Sequence, residues 1–226
     1  MLDIKSWLSD FILSLEKEFG DRIDFVGLQG SYARGEATAQ SDIDMVVILD
    51  QVSLEDLDRY DQMTLQLPHR ELLCGFLSGR AEITHWASSD LFQFYFDTIP
   101  LKGNLDYLRP LIHRQDVQMA IHMGACNLYH MCIHNYLYEK DWNIVKSLYK
   151  AASFVIQALY FERSGVYVRK TEELLGRAEP EEKKILLSCL ELKAKGKGEN
   201  FRALSEQLLQ WSGQKIRQYS PNHKKT

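Results

Sequence analysis

Two apolar segments separated by a short polar one constrain this chain more than any other feature of its sequence. The first, 23–28, is a predicted strand that leads into Gly30-Ser31; the second, 45–49, follows Asp42-Ile43-Asp44 directly. Successive side chains of a strand alternate between faces, so Asp42 and Asp44 share one face. Two neighbouring carboxylates repel each other, and a hard cation such as Mg2+, which prefers oxygen ligands, relieves that repulsion. The segment therefore predicts a metal site where the second strand begins.

The Gly30-Ser31 turn lies where the first predicted strand passes into a short helix. Free backbone N–H groups at such a point, helped by the helix dipole, can hold phosphate oxygens. Alone, a Gly-Ser pair is usually only a turn, and an Asp-x-Asp pair is usually two solvated acids. Together they predict a phosphate-binding turn beside a metal site, which nucleotidyl transfer requires. Arg34 follows in the short helix, where it either reaches a phosphate or pairs with Glu36 or Asp42.

The order strand, Gly-Ser, ten-residue gap, Asp-x-Asp, strand resembles the DNA polymerase beta-like nucleotidyltransferase superfamily. The resemblance implies that Gly30 and Ser31 contact the nucleotide phosphates, and that Asp42 and Asp44 bind Mg2+, with Mn2+ as an alternative. It implies ATP or another nucleoside triphosphate as co-substrate. It also implies an α+β fold, in which an N-terminal nucleotidyltransferase domain with a mixed sheet and helices precedes a C-terminal all-α helical bundle, with the active site in the cleft between them.

A third carboxylate is expected on a strand after the aspartate pair. The segment Glu71–Trp86 contains two apolar runs around Ser78-Gly79 and is interpreted as a β-hairpin. Its second arm, Arg80–Thr84, looks like the strand of aminoglycoside adenylyltransferases that carries their proposed base. By this resemblance Glu82 is a third metal-site carboxylate and takes the proton of the acceptor hydroxyl. Two alternatives stay open: Glu82 is an exposed residue paired with Arg80, or Glu71 supplies the carboxylate.

The second half of the chain has helical spacing of its apolar residues, and Pro100, Gly103 and Pro110 interrupt the stretch before it. The domains predicted are 1–108 and 109–226. One long helix, Val117 to Tyr138, carries four potential metal ligands at every fourth position. A single straight helix cannot wrap four ligands around one ion, so packing is the preferred interpretation over a zinc site. These four residues are His122, Cys126, His130 and His134.

A helix, a glycine and a basic turn near residue 165 look like the C-terminal domain of small-molecule nucleotidyltransferases. There, basic residues on the helix and just after the glycine contact the triphosphate. Lys170 matches the second of these by its offset from Gly165. For the first, Gln157 occupies the position expected for an arginine, and Lys150 lies two turns earlier on the same stripe. The resemblance thus implies that Lys150 and Lys170 bind nucleotide, with a solvated surface lysine as the alternative.

Composition excludes some classes of function. The chain has 226 residues and a net charge of −4, so it lacks the basic footprint of a nucleic-acid-binding protein. No apolar run reaches the roughly 20 residues of a membrane span, and the amphipathic N-terminus is unlike a signal peptide. The four cysteines show no paired short spacing, which favours reduced thiols and a cytoplasmic location.

The sequence thus predicts a Mg2+-dependent nucleotidyltransferase that moves a nucleoside monophosphate, AMP from ATP as the first choice, to a hydroxyl group. The expected acceptor is a small hydroxylated molecule of the aminoglycoside antibiotic type. Two alternatives on the same fold are AMP transfer onto a protein side chain and a non-catalytic, nucleotide-binding or antitoxin-like regulator. The oligomeric state is left open.

Overall fold

Contacts between residues divide the chain into two compact units, Met1–Leu111 and Ile112–Thr226. The computed structural model describes residues 2–38 and 41–221. The described residues of the first unit form a four-stranded sheet and five α-helices, whereas every regular element described in the second unit is helical. The predicted α+β fold, with a mixed sheet followed by a helical region, is confirmed.

The sheet has the strand order β3-β2-β1-β4. The central pair, β1 and β2, is antiparallel, β4 pairs antiparallel with β1, and β3 runs parallel to β2. A parallel pair needs a crossover connection, and the helix α3 with its flanking turns supplies it. The strands are β1 (Ile23–Leu28), β2 (Ile43–Leu49), β3 (Leu73–Gly79) and β4 (Ile99–Lys102).

The first helix of this unit, α1, is the amphipathic helix at the N-terminus. Asp3 accepts hydrogen bonds from the first free N–H groups of α1, and its buried face, Trp7 to Phe19, joins the core formed by β1 and β2. The helices are α1 (Ile4–Phe19), α2 (Gly30–Arg34), α3 (Leu54–Leu65), α4 (Arg80–Thr84) and α5 (Ser88–Asp97), with 3-10 turns at Gly20–Arg22, Arg70–Leu72 and Asp106–Leu111.

One prediction for this unit is wrong, and one strand was not anticipated. The expected hairpin Glu71–Trp86 is a single strand, β3, followed by the helix α4, because Arg80, Ala81 and Glu82 are good helix formers and a short apolar run does not distinguish the two structures. The segment after Thr98, which Pro100, Gly103 and Pro110 interrupt, contains the unanticipated strand β4. This strand pairs with β1 through residues that include Pro100. A proline is compatible with a strand at the edge of a sheet.

An ion pair between Arg22 and Asp56 connects the 3-10 turn before β1 to α3. The Arg22 guanidinium donates to both carboxylate oxygens of Asp56, at 2.5 and 3.0 Å, and Asp56 also accepts from the backbone N–H and hydroxyl of Ser53. These contacts, with Arg22 the largest cause, hold the pKa of Asp56 well below its usual range. The pair lies beyond the last residues of β2, since Arg22 also contacts Asp50.

We expect this pair to make unfolding sensitive to acid. A carboxylate with a lowered folded-state pKa contributes stability that is present above its unfolded pKa, about 3.9, and is lost as the pH falls through the lower folded value. The free energy of unfolding should therefore fall more steeply below about pH 4 in the natural protein than in Asp56→Asn. Urea unfolding between neutral and strongly acidic pH measures both slopes; identical slopes would contradict the assignment.

The second unit is a helical assembly around a buried apolar core. The predicted helix Val117 to Tyr138 is α6 with a π-helical extension at Asn135–Glu139, after which the chain turns at Lys140 with a φ of 54°. Gly165 ends α7 in the left-handed conformation, as a glycine is suited to do. The helices are α6 (Arg114–His134), α7 (Trp142–Ser164), α8 (Thr171–Arg177), α9 (Pro180–Lys195) and α10 (Phe201–Tyr219). Within residues 2–38 and 41–221, no helix is long and apolar enough to cross a membrane.

Candidate active site

Antiparallel pairing of β1 with β2 brings the two predicted halves of the site together. Leu28, at the end of β1, is paired with Met45, near the start of β2. The backbone N–H of Gln29 then donates to the carbonyl oxygen of Asp44 at 2.8 Å. The turn at Gly30 and the beginning of β2 are therefore neighbours because of the sheet itself.

Gly30 packs directly against the Asp44 side chain. An added Cβ at residue 30 would lie 1.8 Å from Oδ2 of Asp44 and 2.7 Å from its Cγ, far inside contact distance. Gly30 also has a φ of +67°, a conformation that favours glycine. Ser31 follows as a partly buried residue in the first turn of α2. The glycine is thus required both by the backbone conformation and by the carboxylate beside it.

The two aspartates lie at the start of β2 with different exposure. Asp42 immediately precedes the strand and is exposed, whereas Asp44, its second residue, is partly buried against Gly30. Across the described part of the chain, no group of three or more His, Cys, Asp or Glu side chains could hold a metal ion. Mg2+ suits such a place, because it is usually bound by one or two carboxylates together with substrate phosphates. The two aspartates therefore fit a cation that arrives with its nucleotide.

Glu82 does not lie with the aspartates. It is in α4, which starts after Gly79, and Gly79 pairs with Leu49 at the far end of β2. The Glu82 carboxylate folds back towards this end, where its Oε2 would lie 2.2 Å from a Cβ added to Gly79. Leu49 is five positions along the strand from Asp44, which corresponds to about 16 Å. The prediction that Glu82 shares a metal with Asp42 and Asp44 is therefore wrong in its geometry.

Glu71 is at the correct end of the sheet. It belongs to the 3-10 turn Arg70–Leu72 that leads into β3, and Leu73 is paired with Ile43, between the two aspartates. Its side chain is 72% exposed and has one oxygen 3.6 Å from Nδ1 of His69. The carboxylate is consequently open to solvent near the start of β2, which favours the alternative kept open at this position.

The predicted nucleotide-binding lysines are in the second unit. Lys150 is exposed on α7, and Lys170 is exposed immediately before α8. Gln157, which stands where an arginine was expected, is buried and donates to the carbonyl oxygens of Val168 and Arg169 at 3.0 and 2.9 Å. Gln157 thus fixes the backbone that leads to Lys170, and the roles of both lysines stay predictions.

The histidine and cysteine stripe of α6 has contacts along its own helix. The Sγ atom of Cys126 lies 3.7 Å from Nε2 of His122, and the rings of His130 and His134 are 6.5 Å apart. His134 also contacts the ring of Tyr138 at 5.1 Å. These contacts join neighbouring turns of one helix, as expected for side-chain packing.

A buried ion pair behind the turn was not anticipated from the sequence. Arg34, at the end of α2, contacts Asp97 of α5 at 2.9 Å and Glu36 at 3.6 Å. Arg34 and Asp97 are only 7% and 6% exposed. Glu36 was one of the partners proposed for Arg34, but Asp97 is 63 positions away and no local pattern connects the two. With its side chain turned into the protein, Arg34 does not extend towards a phosphate at the surface.

Comparison with known proteins agrees with this geometry. Residues 8–74 match the family model of the nucleotidyltransferase domain, a range that contains Gly30, Ser31, Asp42, Asp44 and Glu71 but not Glu82. The match confirms the resemblance to polymerase beta-like nucleotidyltransferases that the sequence predicted. The protein therefore contains a nucleotidyltransferase domain.

Among solved structures, the fold is similar to that of spectinomycin adenyltransferase AAD(9) from Enterococcus faecialis, which was crystallised with ATP and spectinomycin. The TM-score is 0.57 at 13% sequence identity, and the alignment covers 94% of this chain and 99% of that one. None of the curated proteins compared with the sequence matches it. The structural likeness extends the common fold from the nucleotidyltransferase domain over the helical unit.

Proposed function

We propose that this protein transfers AMP from ATP to a hydroxyl group of a small molecule, with Mg2+ as the metal. The observation that carries the proposal is the packing of Gly30 against the Asp44 carboxylate. This contact places a glycine-serine turn, able to meet phosphate oxygens, next to a carboxylate able to bind the accompanying cation. The fold shared with an adenyltransferase crystallised with ATP supports ATP as the nucleotide.

Each group of residues then has a distinct task. Backbone N–H groups at Gly30 and Ser31 orient the phosphates, while Asp42 and Asp44 would hold the cation that enters with them. Bound Mg2+ would neutralise negative charge on the phosphates while pyrophosphate leaves. Lys170, with Lys150 as the second candidate, adds positive charge for the triphosphate.

The acceptor hydroxyl needs a carboxylate that can take its proton, and we assign that role to Glu71. Its position before β3, next to the strand that carries the aspartates, supports this assignment over Glu82. Glu71 is exposed, so a hydroxyl group can reach it from solvent. A carboxylate can act in this way when it is positioned within hydrogen-bond distance of the attacking group.

Substitution of the two glutamates separates these roles. Glu71→Gln should lower kcat by about a hundredfold or more, because general-base catalysis contributes roughly 100- to 10,000-fold. Glu82→Gln, at the opposite end of the sheet, should change kcat by less than about twofold, so it is the matched control for the loss of one carboxylate. Steady-state pyrophosphate release measures both. The assignment is wrong if Glu82→Gln is the impaired variant.

We propose a hydroxylated small molecule of the aminoglycoside type as acceptor. Support comes from the fold shared with a spectinomycin adenyltransferase over nearly the whole chain. ATP labelled on the α-phosphate should be incubated with Mg2+ and, in turn, with aminoglycosides, other hydroxylated metabolites and lysate protein. Label recovered on a small molecule supports the proposal, whereas label on polypeptide indicates a protein AMP-transferase. ATP binding without turnover, unchanged in Asp44→Asn, would instead indicate a regulator.

A further inference from the structure

We propose that the junction of α5 and β4 positions the nucleotide phosphates, through two contacts that hold both ends of α2. The residues are Arg34 with Asp97, and Gln29 with Thr98; we call these four residues the α2 brace. None of them is needed to touch the nucleotide, so they are positioning residues. The inference rests on the proposed function, in which Gly30 and Ser31 meet the phosphates.

The end of α2 is held by the buried ion pair. Nη1 of Arg34 donates to Oδ2 of Asp97 at 2.9 Å, and both side chains are more than nine-tenths buried. A charged pair removed from water is costly to break, because either partner alone would be left as a buried charge. The pair therefore fixes the end of α2 relative to the last residue of α5.

The beginning of α2 is held by a hydrogen-bonded glutamine. Nε2 of Gln29 donates to Oγ1 of Thr98 at 2.6 Å and to the carbonyl oxygen of Phe94 at 3.3 Å. Thr98 is 3% exposed, and its hydroxyl in turn donates to the Phe94 carbonyl oxygen at 2.5 Å. The backbone N–H of the same Gln29 donates to the backbone carbonyl oxygen of Asp44. One residue thus connects the brace to the proposed metal ligand.

These contacts matter because α2 cannot fix itself. It contains five residues, Gly30–Arg34, and helices far shorter than about 12 residues are not stable alone in water. The direction of the N–H groups at Gly30 and Ser31 therefore depends on external contacts at both ends. Removing the residues that orient metal ligands from behind typically lowers affinity or activity by about 10- to 100-fold, and we expect an effect of the same order here.

The test compares ATP affinity with stability in matched variants. Thr98→Val removes the nearer of the two acceptors of the Gln29 side chain while keeping the shape of the threonine, and Arg34→Gln removes the positive charge from the ion pair. Arg34→Lys keeps the positive charge but replaces the planar guanidinium group with a single ammonium group. Asp56→Asn disrupts the buried end of another ion pair of the same unit, at the opposite end of β2, and is the control for lost stability.

Titration calorimetry with ATP and Mg2+ should give a Kd about tenfold higher for Thr98→Val and Arg34→Gln, with partial recovery in Arg34→Lys. Asp56→Asn should lower Tm yet keep its Kd within about twofold, since its contacts lie away from the turn. Thr98→Val preserves shape, so its result stands even if Arg34→Gln does not fold. Unchanged affinity in Thr98→Val, or an equal loss in Asp56→Asn, overturns the positioning role. Failure of the natural protein to bind ATP overturns the proposed function as well.

Discussion

Replacing Asp44 with asparagine should lower the rate of nucleotidyl transfer by about a thousandfold, since metal-ion stabilisation is worth several kcal/mol and each 1.4 kcal/mol is about tenfold in rate. Asparagine keeps the shape of the side chain but loses the charge that holds the cation. The remaining oxygen still packs beside Gly30, so folding should be little affected. Pyrophosphate release at saturating ATP and Mg2+ measures the effect.

Asp50→Asn is the matched control for this substitution. Asp50 directly follows the same strand, is exposed, and receives a hydrogen bond from Arg22, which also contacts Asp56. Its rate should stay within about twofold of the natural protein, as is usual for surface substitutions away from a site. If Asp44→Asn and Asp50→Asn had the same rate, Asp44 would not be a metal ligand.

Gly30→Ala should abolish most activity and destabilise the first unit. A left-handed conformation costs a residue with a Cβ about 1–2 kcal/mol. At this position the new methyl group would also collide with Oδ2 of Asp44, 1.8 Å away, so the carboxylate or the turn must move. We therefore expect a loss of activity comparable to that of Asp44→Asn, measured by pyrophosphate release together with urea unfolding.

Gly35→Ala separates the two causes. Gly35 has nearly the same φ, +70°, but an added Cβ there would meet no atom within 4 Å. It should show the conformational cost of about 1–2 kcal/mol while retaining most activity. Equal loss of activity in both alanine variants would mean that the contact between Gly30 and Asp44 has no special role.

Much of the proposed site could be read from sequence because its parts are local. Gly30-Ser31 closely follows β1, Asp42 and Asp44 lie at the start of β2, and a short connection joins these two antiparallel strands. The faces of the side chains follow from alternation along β2. What alternation cannot give is the distance between Gly30 and Asp44, which only the sheet pairing determines.

Glu82 could not be placed from sequence because its position depends on strand register. Arg80–Thr84 satisfies both a short strand and a helical turn, and tertiary structure decides between them. The direction of β3 matters equally. Because β3 is parallel to β2, the residues before β3 lie near the start of β2, whereas the residues after β3 lie near its end. The same register places Glu71 near the start of β2, which is why we now prefer Glu71 to Glu82 as the carboxylate that takes the acceptor proton.

The α2 brace was missed for a related reason. β4 is four residues long and contains Pro100, which weakens any strand signal. Asp97 and Thr98, which precede it, are far from α2 in the sequence and meet it only because β4 pairs with β1. Long-range partners of this kind follow from topology rather than from composition or periodicity.

The most direct test of the central claim uses two samples of ATP, one labelled on the α-phosphate and the other on the γ-phosphate, with Mg2+ and an aminoglycoside acceptor. Nucleotidyl transfer at the Gly30-Ser31 turn and Asp42-Asp44 predicts that the α-label moves to the acceptor, that the γ-label leaves as pyrophosphate, and that Asp44→Asn removes both signals. An acceptor that receives the γ-label, or transfer that persists in Asp44→Asn, would contradict the assignment.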